Sequence, residues 1–365
     1  MRIDFTQREN ALAQALEARL GSYVDLTVGN PTAVGLPTGS GQLPASPGYD
    51  PQPRGLLEAR EAVGLVHGVD AERVVLTAST SEAYSWLFKL LCDPGDEVLV
   101  PQPCYPLFEY LTALESVRAV PYSLRYDREW HLDASLLKIT DRTRAVLIVS
   151  PGNPTGSFLK RGEYAELARL CGSRGIALIS DEVFAEFPSA ADARRVHTVA
   201  MLDEVPAFAL SGLSKIAGLP QFKLGWIVAS GPGWRESLAQ LELIADTYLS
   251  VSTPVQLAAP ALLAARQVFQ RALKTRLTNN RALLSAARPR DASWDVLPSE
   301  GGWSAILRVP QARSEEDLAL ELLDAGVLVH PGYFFDFPSG AHLVISLLVS
   351  PSDLARGLAV LRSVL

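Results

Sequence analysis

The hydrophobic positions of this chain follow two periods that alternate along most of its length. Residues 4–20 place Leu12, Leu16 and Leu20 four residues apart, which predicts an amphipathic helix. From residue 55 onward, short uninterrupted apolar runs alternate with segments of helical period. Apolar strands that alternate with helices indicate an α/β domain in which helices cover both faces of a mostly parallel sheet.

This alternation predicts the elements of a large and a small domain. The large sheet is predicted to contain residues 74–77, 96–100, 116–122, 144–150, 176–181, 207–211 and 224–229. The helices around it are predicted at residues 55–67, 81–92, 104–114, 160–174, 233–246 and 254–287. After residue 290, strand patterns at 294–297, 303–309, 327–330 and 343–349 mix with helical patterns at 314–325 and 351–364. This change predicts a smaller α+β domain.

The predicted organisation therefore has three parts. Residues 46–250 form the large domain, residues 251–365 form the small C-terminal domain, and residues 1–45 form an N-terminal segment that joins the small domain. Residues 23–28 are predicted to be a short strand in that segment. Residues 33–53 are rich in Gly, Pro and Ser, which predicts a loop. A loop of this length usually contributes to a site or an interface.

Composition narrows the class of protein. The net charge of −7 and the lack of a Lys/Arg run argue against a nucleic-acid partner. The three cysteines and five histidines show no ligand spacing, so neither a metal site nor a disulfide framework is indicated. No apolar run reaches the roughly 18 residues that a membrane span needs. The first residues form a charged amphipathic pattern that differs from a signal peptide, so we expect a cytoplasmic protein.

Polar residues that could carry chemistry follow several predicted strands, where ligands bind in open α/β sheets. Lys215 lies among small residues, where enclosure would lower its pKa and allow Schiff-base formation; a loop lysine extending to water is the alternative. Asp181 ends an apolar strand and needs a cationic or donor partner, for which a structural salt bridge suffices. Asn153 lies between two prolines, in a turn. Thr80 and Ser81 begin a helix, and could bind phosphate or simply cap it.

In their order along the chain, SPGNPTG at residues 150–156, DEV at 181–183 and SKIAGLP at 214–220 resemble motifs of the class I/II aminotransferases. These enzymes belong to the aspartate aminotransferase superfamily of fold-type I pyridoxal-phosphate enzymes. The resemblance extends from residue 26 to the C-terminal helix. It implies an aminotransferase that moves an amino group between an amino donor and a 2-oxo acid. It also implies a homodimer, with the N-terminal segment at the dimer interface.

The resemblance implies roles for four residues around the ring of the cofactor, pyridoxal 5′-phosphate. Lys215 forms the Schiff base, and its amine later carries a proton as general base and acid. Asp181 pairs with the protonated pyridine nitrogen, so that the ring can withdraw electrons from the substrate. Asn153 hydrogen-bonds the phenolic oxygen, and Tyr105 stacks on the ring.

Five further positions match the family around the phosphate and the substrate. Thr80 and Ser81 hold the phosphate at a helix N-terminus. Lys223 lies where the family usually has an arginine on the phosphate, and lysine can serve there. Tyr49 matches a tyrosine that reaches the phosphate of the neighbouring subunit. Gly29 is expected near the substrate carboxylate.

The chain departs from the family pattern at two further positions. Phe184 replaces a tyrosine whose hydroxyl binds the phenolic oxygen, so Asn153 would act alone there. Val344 replaces the arginine that pairs with the substrate α-carboxylate. Either Arg54 or Arg308 could substitute for that arginine, the substrate could be an amine, or the enzyme could catalyse another pyridoxal-phosphate reaction.

Function and substrate are therefore less constrained than the fold. The alternatives to an aminotransferase are a pyridoxal-phosphate lyase or decarboxylase on the same scaffold, and a cofactor-binding protein without turnover. The donor and acceptor remain open. An aromatic-lined pocket is one interpretation of four residues near the small domain, and core packing is the other: Trp303, Phe334, Phe335 and Phe337. His342 could contact substrate or be structural.

Overall fold

The computed structural model describes residues 10–37 and 50–365. The helices in these ranges are α1 (Ala11–Ala18), α2 (Leu57–His67), α3 (Thr80–Leu91), α4 (Phe108–Leu114), α5 (Arg161–Gly172), α6 (Leu213–Ile216), α7 (Trp234–Tyr248), α8 (Thr253–Ala287), α9 (Glu315–Asp324) and α10 (Pro351–Val364). The strands are β1 (Val24–Asp25), β2 (Val74–Thr77), β3 (Glu97–Gln102), β4 (Arg118–Ser123), β5 (Arg125–Tyr126), β6 (Trp130–His131), β7 (Thr143–Val149), β8 (Ala177–Asp181), β9 (Ala207–Gly212), β10 (Gly225–Ser230), β11 (Asp295–Val296), β12 (Ser304–Val309), β13 (Val327–Leu328), β14 (His330–Pro331) and β15 (Ala341–Ser346).

A seven-stranded sheet in the order β2-β10-β9-β8-β7-β3-β4 forms the centre of the fold. Strand β10 is antiparallel to both of its neighbours, and the strands from β9 to β4 run parallel to one another. All seven strands were predicted from the sequence, within two residues at each end. The α/β class and the mostly parallel sheet are thus confirmed.

Helices pack on both faces of this sheet because its strands are apolar on both sides. Trp226 of β10 joins a core that includes Leu167 of α5 and residues of α2 and α8. The next residue, Ile227, points to the opposite core, which includes Leu241 of α7 and residues of α3 and α4. Alternate residues of one strand thus contribute to two separate apolar layers.

The C-terminal part of the chain forms a second, antiparallel sheet in the order β11-β12-β15-β14. Its core includes α9 and α10 and the second half of α8, and β1 pairs with β13 beside it. Within α8, Leu263 packs in the core of the large sheet and Phe269 packs in the core of the small one. The domain limits given above stay a prediction.

Two local predictions were wrong, and one hairpin was missed. Residues 104–107 are not helical, and α4 begins only at Phe108, because the residue before Pro106 is disfavoured in helical geometry. The segment 327–330 is two strands, since β13 pairs with β1 and β14 pairs with β15. The hairpin of β5 and β6 was not predicted, because two-residue strands carry no periodic signal. Residues 4–9 of the predicted first helix lie outside the described residues.

No helix among the described residues is both long and apolar enough to cross a membrane.

Candidate active site

Lys215 lies at the carboxyl end of the central sheet, on the short helix α6 that follows β9 directly. Its Nζ lies 3.4 Å from the carbonyl oxygen of Gly29 and faces two aromatic rings, 5.3 Å from the ring centre of Trp303 and 5.8 Å from that of Phe184. Burial lowers the pKa of Lys215, and the charge of Asp181 opposes this effect. The lysine is therefore closer to its neutral, nucleophilic form than a surface lysine.

Asp181 ends β8 and is held by two hydrogen bonds. The Tyr84 hydroxyl donates to Oδ2 at 2.7 Å, and the Val183 backbone N–H donates to Oδ1 at 3.1 Å. Burial raises the pKa of Asp181, whereas these two donors and the charge of Lys215 lower it. A carboxylate in this setting is stabilised further by any cation that contacts it.

The N-terminus of α3 and the segment before β10 form a site with the properties of an anion-binding site. Thr80 and Ser81 are the first two helical residues, and their hydroxyls bond to no described residue. Gly225 packs against this turn so closely that an added Cβ would lie 2.8 Å from the carbonyl carbon of Ser79. Lys223, two residues before Gly225, is exposed and forms no ion pair with a described residue. Backbone N–H groups, hydroxyls and a lysine together suit a phosphate.

Asn153 connects the large sheet to the small one. Its Oδ1 accepts a hydrogen bond of 3.2 Å from the Ser304 hydroxyl, at the start of β12. The amide is thereby oriented, and its Nδ2 donates to no described residue. The opposite residue on β15, Ser346, donates to the Val28 carbonyl at 2.6 Å, next to Gly29. The N-terminal segment is held at the site through this contact.

The two positions that depart from the family pattern are both apolar and packed. Phe184 contacts Trp303 edge to face, with ring centres 5.1 Å apart. Val344 is 2% exposed and packs with Trp130, Ile306 and Phe335. Neither side chain can donate a hydrogen bond.

Arg54 and Arg308, the two arginines named from the sequence, are engaged elsewhere. The Nε of Arg54 lies 3.2 Å from Glu242, and Arg308 lies 3.5 Å from Asp295 on the exposed side of β12. A role for either in binding substrate stays a prediction and would require its ion pair to open. His342 stacks on Phe337 at 4.2 Å, with its pKa lowered by burial to about 4.

Tyr105 and Tyr49 are the remaining predicted cofactor residues. Tyr105 is 53% exposed in the loop before α4 and lines a cavity of about 840 Å³ that also includes Tyr333. Lys215 does not line this cavity, so the stacking role of Tyr105 stays a prediction. Tyr49 lies outside the described residues.

The sequence analysis missed two residues, Tyr84 and Ser304. Tyr84 lies on the buried face of α3, and a tyrosine on an apolar helix face needs a partner for its hydroxyl. That requirement could have drawn attention to Asp181. Nothing in the sequence around Ser304 indicates its contact with Asn153. No cluster of His, Cys, Asp and Glu in the described part of the chain could hold a metal ion.

The family model for aminotransferase class I and II matches residues 50–361. The chain belongs to this family. This aminotransferase is 28% identical to the alanine aminotransferase of Mycobacterium tuberculosis, covering 95% of this chain and 86% of that one. It is 27% identical to the glutamate–pyruvate aminotransferase AlaA of Escherichia coli, over 95% and 91%. The structure of an alanine aminotransferase from Pyrococcus furiosus superposes with a TM-score of 0.85, at 25% identity over 96% and 94%.

These matches confirm the prediction of a fold-type I, pyridoxal-phosphate-dependent aminotransferase. The lyase or decarboxylase alternative gains no support from these relatives, which are all named as aminotransferases.

Proposed function

We propose that this aminotransferase transfers the amino group of an α-amino acid to a 2-oxo acid, with Lys215 as the residue that binds pyridoxal phosphate covalently. The observation that carries this proposal is the placement of Lys215 directly after β9 and of Asp181 at the end of β8, two paired parallel strands of the central sheet. Burial lowers the pKa of Lys215 and raises that of the nearby Asp181. The names of the relatives, alanine and glutamate–pyruvate aminotransferase, support an α-amino-acid donor and a 2-oxo-acid acceptor.

The residues present fit the cofactor at each of its ends. The carboxylate of Asp181, held by Tyr84 and Val183, suits the ring nitrogen, which carries a positive charge when protonated. Thr80 and Ser81 with Lys223 suit the phosphate. The free Nδ2 of Asn153 suits the phenolic oxygen, and with Phe184 nearby it acts there without help from a tyrosine.

Pyridoxal phosphate supplies the electron sink that makes a proton on the substrate Cα acidic. The chain supplies the base and the environment. When the donor amine has replaced it at the cofactor, the freed Nζ of Lys215 would accept the proton from the substrate Cα and deliver it to the cofactor carbon that Nζ had left. Its lowered pKa keeps a fraction of the amine neutral for this task. The rings of Trp303 and Phe184 limit the access of water to the amine.

A homodimer would complete the site, because Tyr49 is proposed to reach the phosphate of the neighbouring subunit. Exposed leucines support such an interface. Leu57 is 51% exposed and Leu243 is 73% exposed, and in the sequence they follow Arg54 and Glu242, which form an ion pair with each other. Sedimentation measurements on the purified protein test this assembly. The free cysteines, two of them buried, are consistent with a reducing, cytoplasmic setting.

The test of the proposed function compares the purified protein with Lys215→Ala and with Lys274→Ala. Lys274 is an exposed lysine of α8 and serves as the matched control. After borohydride reduction, mass spectrometry should find pyridoxal phosphate on the peptide with Lys215 in the native protein and in Lys274→Ala. Lys215→Ala should carry none and should not transaminate. A different labelled lysine, or transamination by Lys215→Ala at the native rate, would refute the proposal.

A further inference from the structure

The proposed function leaves the substrate carboxylate without its usual partner. Val344 occupies the arginine position, and its neighbours Trp130, Ile306 and Phe335 are apolar. The face that carries Val344 belongs to the site: Ser346, two residues further along β15 and on the same face, contacts the Val28 carbonyl beside Gly29. Arg308, two residues beyond Ile306 on β12, lies on this same face, but it pairs with Asp295 at 3.5 Å.

Three arginines that could be considered already bond to other groups of the protein. Arg54 and Arg308 form ion pairs with Glu242 and Asp295. Arg281 of α8 donates to the Gly302 carbonyl at 2.9 Å and has no acidic partner among the described residues. It lines a cavity of about 440 Å³ together with Leu297 and Ser304, and Lys215 is not among the residues that line this cavity.

One buried hydrogen-bond donor beside Lys215 has no partner. The indole Nε1 of Trp303 is buried and bonds to no described residue, and the side chain is 5% exposed. Its ring centre lies 5.3 Å from Nζ of Lys215. A buried N–H without an acceptor is costly, and native proteins rarely retain one without a role. The oriented amide of Asn153 offers a second neutral donor, Nδ2, on the adjoining side.

We propose that the indole N–H of Trp303 binds the carboxylate of the α-amino-acid substrate in place of the missing arginine. This inference rests on the proposed function. A neutral hydrogen-bond donor and an arginine that forms an ion pair differ in the substrates that they accept. An indole N–H can also donate to the carbonyl oxygen of a carboxamide, although more weakly than to a carboxylate, so amino-acid amides should be accepted as donors better than a bidentate ion pair would allow. The site should also respond weakly to added salt.

The test compares three conservative variants of the holoenzyme. Trp303→Phe removes the indole N–H and keeps an aromatic ring. Trp294→Phe is the matched control, because Trp294 is 2% exposed in the same core and is not part of the site. Trp130→Phe tests the rival indole, whose Nε1 also bonds to no described residue and which packs against Val344. The donors are L-alanine with ethylamine, and L-phenylalanine with 2-phenylethylamine, so that each amino acid is compared with the amine that lacks its carboxylate. Calorimetry measures the binding of propionate, a carboxylate without an amine.

Trp303→Phe should lower kcat/KM for the amino acids by roughly 10- to 100-fold, the effect of one hydrogen bond to a charged group, and should leave the amines unchanged. It should weaken propionate binding by a similar factor. Trp294→Phe and Trp130→Phe should match the native enzyme in all three measurements, Trp294→Phe as the control outside the site. Circular dichroism and retention of the bound cofactor's absorbance band check that all three variants fold.

Several outcomes would overturn the inference. An equal loss for amino acids and amines would mean that Trp303 is structural. A loss confined to Trp130→Phe would assign the carboxylate to the other indole, and a loss only in Arg281→Gln would assign it to the arginine. A native enzyme that prefers amines to amino acids would mean that no carboxylate is bound. If no donor of either kind reacts with the native enzyme, the proposed function itself fails.

Discussion

Removal of the Tyr84 hydroxyl should lower the affinity of the enzyme for pyridoxal phosphate. Tyr84 donates a hydrogen bond of 2.7 Å to Asp181, and burial first, then the charge of Asp181, raises the pKa of Tyr84 well above its usual value. The phenol therefore stays protonated and donates at every pH of interest. In Tyr84→Phe the carboxylate loses this donor, while the ring still packs on Phe108. The pKa of Asp181, already raised by burial, should rise further.

The size of the effect follows from the chemistry of the bond. A hydrogen bond to a charged group in a buried setting contributes about 1.5–3 kcal/mol. Since each pKa unit corresponds to 1.36 kcal/mol, the pKa of Asp181 should rise by about one to two units. A protonated Asp181 cannot pair with the ring cation of pyridoxal phosphate. The affinity for the cofactor should fall roughly 10- to 100-fold at low pH, and the deficit should shrink as the pH rises and Asp181 ionises again.

The assay is a titration of the apoenzyme with pyridoxal phosphate, followed by absorbance, at several pH values. Tyr122→Phe is the control, because Tyr122 is likewise buried in the large domain but donates to a neutral acceptor, the Leu147 carbonyl, at 2.8 Å. Tyr122→Phe should have a lower free energy of unfolding than the native enzyme and the same affinity for pyridoxal phosphate. Equal affinity of Tyr84→Phe and the native enzyme at all pH values would refute the role of Asp181. A loss that does not depend on pH would show that Tyr84 acts only through packing.

Two buried titrating groups give predictions for stability. Burial raises the pKa of Glu182 to about 7, so its contribution is full below pH 4.5 and is lost as the pH rises to about 7, a change of about 3 kcal/mol. Glu182→Gln should remove this dependence in urea unfolding, and an unchanged pH profile would contradict the assignment. Burial lowers the pKa of His67 to about 4, so its contribution is full above pH 6.5 and is lost as the pH falls to about 4. His67→Gln keeps an acceptor for the Trp226 indole N–H and does not titrate, so it should unfold less readily in acid, and an unchanged loss of stability at low pH in urea unfolding would contradict the role of His67.

The large sheet could be predicted because its strands carry their own signal. Residues 145–149 and 176–179 are apolar without interruption, which is typical of a short strand covered on both faces. Asp181 could be singled out because a carboxylate ends such a run. Residues 104–114 show the limit of this reasoning. Their apolar spacing fits a helix, but Pro106 delays the start of the helix to Phe108. The hydrophobic pattern carries no information about this local effect of a proline.

The connections within the site could not be predicted from local pattern. Tyr84 is 97 residues from Asp181, and Asn153 is 151 residues from Ser304. The two residues of each pair meet because the strands or helices that carry them come together at the site. No rule of sequence spacing relates one residue of a pair to the other. Lys215 and Gly29 are 186 residues apart, and the contact between the lysine and the Gly29 carbonyl was not predicted, because the family resemblance placed Gly29 only near the substrate carboxylate.

Lys215 and Asp181 show why burial, rather than either residue alone, prepares this site. Burial disfavours charge on both groups, so it lowers the pKa of the lysine and raises that of the aspartate. The two groups partly restore each other's charge, and Tyr84 and Val183 add hydrogen bonds to the carboxylate alone. The protonated ring nitrogen of the cofactor would stabilise the ionised carboxylate of Asp181. It would also offset the negative charge of that carboxylate, so that the pKa of Lys215 would stay low. The arrangement thus favours an ionised aspartate and a neutral lysine together, which are the states that transamination needs.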